Sequence, residues 1–183
     1  MPVPALLALE DGTEMRLLDP SQAAPIFAAV DADRDYLREW LPWVDRSQRV
    51  EDTRVFLELQ LMSQKEGTAF GYGIWKSQRI RGIVGLHEVN MADRHCKIGY
   101  WLARREQGRG QMTRAVRALL SVCFESLDME RVEINVATGN RPSAAIPVRL
   151  GFTEEGVLRH AQLVNGKYLD LRVFSLLREE FRS

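Results

Sequence analysis

The stretch Tyr100-Trp101-Leu102-Ala103-Arg104-Arg105-Glu106-Gln107-Gly108-Arg109-Gly110-Gln111-Met112-Thr113-Arg114-Ala115 decides how the rest of the chain is read. It begins as an apolar, aromatic run suited to a strand and turns through two glycines set among arginines. It leaves with Met112, Ala115, Val116, Leu119 and Leu120 recurring at three- and four-residue steps, a helical period. A strand, a glycine loop and a helix start in succession make an anion site. The first N–H groups of a helix have no internal partners, and the helix dipole adds positive potential. Gly108 and Gly110 let the chain curl and let a phosphate approach the backbone, while Arg104, Arg105, Arg109 and Arg114 add charge-assisted donors. A dinucleotide fingerprint would need glycine where Thr113 stands, and a P-loop would need lysine at Gln111, so neither motif is met.

With 183 residues the chain is long enough for one core-bearing domain, residues 1–183, and short for two. Basic and acidic residues balance at 25 each, which argues against the basic surface that direct nucleic-acid binding needs. No apolar run approaches the ~20 residues of a bilayer span, so no membrane partner is expected. The start, Met1 to Leu9, lacks the basic region of a secretory signal. Cys96 and Cys123 form no Cys-x-x-Cys pair, which points to a reducing, cytoplasmic setting. His95 beside Cys96 has no second ligand pair, and no metal is expected.

Working outward, Glu14–Leu18 is a short strand candidate, and Asp19-Pro20 opens a helix over Ser21–Val30. Tyr36, Leu37, Trp40 and Leu41 share a helical face that Pro42 ends. Asp52 or Thr53 caps a further helix carrying Val55, Phe56, Leu59 and Met62 and closed by Gly67. Strands are predicted over residues 69–75, 80–89 and 97–102, the middle one central because it is apolar on both faces. After a helix over 111–127, residues 131–137 alternate as a strand that a right-handed crossover makes parallel to the strand before the loop. Arg141–Leu150 is a last helix, capped by Asn140 and stopped by Gly151, with Pro147 predicted to shorten or bend it. Strands over 153–163 and 167–177 close the chain around Asn165-Gly166. The fold class is α+β, a mixed, mostly antiparallel twisted sheet flanked by helices.

This order, with the spacing Arg105-x-x-Gly108-x-Gly110, resembles the GCN5-related N-acetyltransferase (GNAT) superfamily. Local motifs resemble its RimJ/RimL group: Trp40-Leu41-Pro42-Trp43, Ile98-Gly99-Tyr100-Trp101-Leu102, Asn140-x-x-Ser143 with Ala145-Ile146-Pro147-x-Arg149-Leu150-Gly151-Phe152, Glu155-Gly156-Val157-Leu158-Arg159 and Asn165-Gly166-Lys167-Tyr168-x-Asp170. The resemblance implies an acetyl-CoA-dependent N-acetyltransferase acting on a primary amine such as a protein N-terminus, without a metal, and a homodimer. Alternatives are a small-molecule amine acceptor, a non-catalytic acyl-CoA-binding module, or a nucleotide-binding regulator. It implies that the pantetheine arm pairs with the main chain of Trp101 and Leu102, an N–H there polarising the thioester carbonyl. It implies that the loop and helix start, Arg105, Gln107, Gly108, Arg109, Gly110, Gln111, Met112 and Thr113, hold the pyrophosphate.

Asn140 either holds the pantetheine amides or serves only as a cap. Ser143 matches the position of a general acid to the departing thiolate; otherwise it is a first-turn serine bonded to backbone. Where the ribosomal group has a glutamate before the Asn-Gly turn, this chain has Gln162, which cannot accept a proton usefully. Glu88 and His87 are the substitute bases, and strand alternation sends only one of them to the cleft. Trp43 and Tyr168 are candidates to line the acceptor pocket, whereas Trp40 reads first as core.

Overall fold

Tight turns set the sheet. Ser77 and Gln78, and then Asn165 and Gly166, all take positive φ, the twist that closes two-residue hairpins between right-twisted strands. In the computed structural model, which describes residues 3–182, the strands are β1 (Leu6–Ala8), β2 (Glu14–Leu17), β3 (Phe70–Lys76), β4 (Arg79–Asn90), β5 (His95–Leu102), β6 (Arg131–Ala137), β7 (Thr153–Val164) and β8 (Lys167–Leu177). They form an eight-stranded sheet in the order β1-β2-β3-β4-β5-β6-β8-β7. Every neighbouring pair is antiparallel except β5 with β6, the crossover predicted to be parallel. The helices are α1 (Ala23–Ala32), α2 (Arg34–Leu37), α3 (Val50–Glu66), α4 (Gln111–Ser121) and α5 (Arg141–Arg149). Among the described residues no helix is long and apolar enough to cross a membrane. Met1 and Pro2 of the N-terminal stretch lie outside the described residues.

The larger core packs α4 and α5 on one face of the sheet, with Met112, Ala115, Val116, Leu119 and Leu120 against Leu86, Cys96, Ile98, Val132 and Ile134. A second cluster on the other face joins α1–α3 to Trp75, Ile80 and Trp101 through Ile26, Val30, Leu37 and Leu57. Cys96 and Cys123 are free and buried, 3.9 Å apart.

Several expectations are corrected. β1 was not anticipated; it exists because its backbone pairs with β2. The helix expected to run to Leu41 ends at Leu37 and continues only as turns, with the Trp40 and Leu41 N–H groups both donating to the Leu37 carbonyl. α3 starts at Val50, and Asp52 sits in its first turn, accepting from the Gln48 and Arg49 amides at 2.9 Å each. The apolar stripe of α3 points outward. Leu57 and Thr53 fill the contact with the sheet, while Val55, Phe56, Leu59 and Met62 are exposed. α4 ends at Ser121 in a π turn over Val122–Ser126 rather than continuing as α-helix.

Candidate active site

Pairing between β5 and β6 covers only His95–Lys97 against Arg131–Glu133; beyond that the two strands part. The opening leaves the later part of β5 with a main-chain edge free towards β6. A cleft of about 640 Å³ lies on the α4–α5 side, lined by Tyr100, Trp101, Leu102, the loop and the start of α4. Gly108 and Gly110 take φ of 74° and 69°, so the chain curls as the sequence predicted. Gly110 is the N-cap of α4 and offers no side chain, so the helix's first amides are left for a ligand.

Fixed contacts shape this loop. Glu106 is buried beneath it and paired with Arg81, with Arg105 Nε at 3.5 Å and Arg109 Nη1 at 3.9 Å from its carboxylate. Gln107 is tied inward, its amide donating to the Tyr36 hydroxyl at 2.6 Å and the Leu102 carbonyl at 3.3 Å. Gln111 is buried and donates to Thr13 Oγ1 at 3.2 Å. Arg114 is anchored on Asp11 at 2.8 Å. Burial pushes the Asp11 carboxyl up, but hydrogen bonds from Thr13 and Arg114 outweigh it and bring the pKa to about 2. The β1–β2 turn thus braces the helix start, a contact between distant segments that the sequence did not reveal.

A second cleft, of about 770 Å³, lies on the α1–α3 side and reaches β7. Trp40, Leu41, Tyr100, Trp101, Asn140 and Ser143 line both clefts, so the two meet there. Asn140 caps α5 by accepting the Ser143 N–H at 3.2 Å. Pro147 lacks the N–H that would have bonded the Ser143 carbonyl. The Tyr100 hydroxyl takes its place, donating to that carbonyl at 3.0 Å while accepting from Ser143 Oγ at 3.3 Å. Burial pushes the Tyr100 phenol up to about 12, so it stays protonated as a donor. Tyr100 had been read only as a strand residue.

The second cleft is floored by a bulge in β4 where Glu88 takes φ of 51°. The bulge lets both His87 and Glu88 line the cleft, which simple alternation forbade. The Glu88 carboxylate meets Lys97 Nζ at 2.5 Å, a hydrogen bond that holds it below the usual carboxylate range. His87 lies over Gly99, where a Cβ would stand 3.3 Å from Nε2. Burial pushes its pKa below the ordinary value, partly offset by Glu88, and Lys97 adds to the lowering. Gln162 lines the cleft beside a second bulge, in β7. Trp43 lines it too, its ring 6.5 Å from Trp101. Trp40, read as core, lines both clefts, whereas Tyr168 stacks on His160 out on the hairpin and is 61% exposed.

A free strand edge, free helix amides and arginines fit an acyl-CoA on one side, and a groove for an acceptor meets it from the other. Fold and site together define an acyl-CoA-dependent N-acetyltransferase. The chain belongs to the GNAT acetyltransferase family: residues 13–153 match the Acetyltransferase (GNAT) domain. It is 32% identical to YdaF of Bacillus subtilis (strain 168), over 91% of this chain and 92% of that one. It is 25% identical to the ribosomal-protein-serine acetyltransferase of Escherichia coli (strain K12), over 92% and 94%. Among solved structures it resembles RimL, a ribosomal L7/L12 alpha-N-protein acetyltransferase in complex with coenzyme A, with TM-score 0.90 and 25% identity, covering 94% of this chain and 97% of that one.

Proposed function

We propose that this N-acetyltransferase acts on the α-amine of a protein N-terminus, of the ribosomal-protein kind, in the cytoplasm and as a homodimer. The meeting of the two clefts at Tyr100, Trp101, Asn140 and Ser143 carries the reading, because it brings an acyl donor and an amine to one point from opposite sides of the sheet. The acceptor groove favours a peptide end over a polyamine. Its carboxylates are already engaged, Asp52 on backbone amides and Glu88 on Lys97, and its wall at β7 is formed by Leu158 and Ala161. An α-amine, with a pKa of ~8, also needs far less help to lose its proton than a lysine at ~10.4.

Acetyl-CoA supplies an activated thioester. The amides of Gly108 to Thr113 and the side chains of Arg105 and Arg109 hold its pyrophosphate, and Gln107 fixes the loop's shape. The main chain of Trp101 and Leu102, on the part of β5 that β6 leaves unpaired, aligns the pantetheine arm and polarises the acyl carbonyl, and Asn140 fixes its far side. His87, neutral at pH 7, takes the proton from the acceptor's ammonium; Glu88, locked on Lys97, is the weaker base. Ser143 Oγ gives a proton to the departing thiolate, and Gln162 orients the acceptor by hydrogen bonds. The homodimer is supported by the outward stripe of Val55, Leu59 and Met62 on α3.

The test is a panel of peptides with free or blocked N-termini, lysine side chains and polyamines, incubated with acetyl-CoA. Thiol release is followed and products are located by mass. Acetylation confined to free N-termini is expected; preferred turnover of polyamines would overturn the acceptor assignment.

A further inference from the structure

Four charged side chains line the donor cleft near α4 and α5: Glu106, Arg114, Arg117 and Arg149. The first two are neutralised within the protein, Glu106 by Arg81 and Arg114 by Asp11. Arg117 and Arg149 are not: among the described residues neither has a carboxylate within ion-pairing reach, although both face the same cavity. Thr113 links the two positions. Arg149, in the last turn of α5, donates to the Thr113 hydroxyl at 3.3 Å. Thr113 and Arg117 stand four residues apart on α4, which makes them neighbours on its surface.

Two guanidiniums that face one cavity beside Thr113, with no carboxylate of the described residues in reach, favour an anion there. That anion is not the one at the loop. Arg117 lies six residues beyond Gln111, about 9 Å along the helix axis, too far to serve a phosphate seated on the first amides. The cavity therefore presents two separate anion sites, one made of amides and one of guanidiniums.

We infer that Arg117, Arg149 and the Thr113 hydroxyl form a site for a phosphate monoester dianion, the 3′-phosphate on the ribose of CoA. Through it the enzyme distinguishes CoA from its 3′-dephospho form. The inference rests on the acyl-CoA reading of the cleft. It gives the two arginines a role in choosing the donor, apart from the pyrophosphate loop that either form would occupy equally.

Calorimetric titration of the full chain with CoA and with 3′-dephospho-CoA tests it without any variant. The wild-type protein should bind CoA about ten-fold more tightly, a ratio that shrinks as salt is added. In the Arg117→Gln/Arg149→Gln double variant, checked for an unchanged thermal melt, CoA affinity should fall to within roughly two-fold of the dephospho form. Arg105→Gln should instead weaken both ligands by the same factor. Equal wild-type affinity for the two ligands, or a ratio that survives the double variant, would overturn the 3′-phosphate site. Failure of either ligand to bind would instead sink the acyl-CoA reading.

Discussion

The sequence favours Glu88 only slightly over His87, two polar neighbours on a central strand, of which alternation admits one to the cleft. The bulge at Glu88 admits both, and their partners then separate them. Glu88 is 62% exposed yet bound to Lys97, whereas His87 leans over Gly99 with the charges of Glu88, Lys97 and Glu133 around it. A lowered histidine pKa means that the neutral, proton-accepting form dominates at pH 7 and is lost only on acidification. The acid limb of kcat/KM for an N-terminal peptide should therefore lie below the ordinary histidine value of ~6.5. His87→Gln should abolish that limb and lower the plateau. Glu88→Gln, by removing an anion that favours the imidazolium, should move the limb to still lower pH. A limb unchanged in His87→Gln would exclude the residue as the base. Asn140 and Ser143 were legible as cap and first-turn serine because those roles are local. Tyr100 was not, because its partners lie 43 residues away.

At the level of elements, α5 and β5 are joined by a bond that a helix ordinarily makes within itself. Pro147 was expected to shorten or bend its helix; α5 nonetheless continues to Arg149, and the freed Ser143 carbonyl is satisfied from β5 by Tyr100. Removing the phenol should leave a buried acceptor unpaired, at a cost of about 1–3 kcal/mol. Pro147→Ala restores an N–H able to bond that carbonyl. Tyr100→Phe should thus be markedly less destabilising in the Pro147→Ala background than in the wild type, as measured by a double-mutant cycle in urea. Additive effects would show that the two positions act independently. α3 teaches the converse lesson. Its apolar period was correctly seen, but periodicity gives the existence of a stripe and not which neighbour it meets. The contact with the sheet had already been taken by Leu57 and Thr53.

For the whole molecule, the outward stripe of α3 is an exposed apolar surface, and the proposed homodimer would cover it with a second copy. Sedimentation should find a dimer at micromolar concentration, and Leu59→Glu with Met62→Glu should yield a monomer that still binds CoA. A wild-type monomer at those concentrations would refute the homodimer. The sequence by itself determined the order of elements from β2 onward, the parallel crossover, the hairpin at Asn165-Gly166 and the strand–glycine-loop–helix. Each of these depends on φ preferences, caps and periodicities within a few residues. Only the tertiary structure decided where β5 and β6 part, which side chains line both clefts, how Tyr100 replaces the amide that Pro147 lacks, and which arginines remain without an acid. Those are contacts between segments far apart in the chain, and they exist only once the sheet has brought them together.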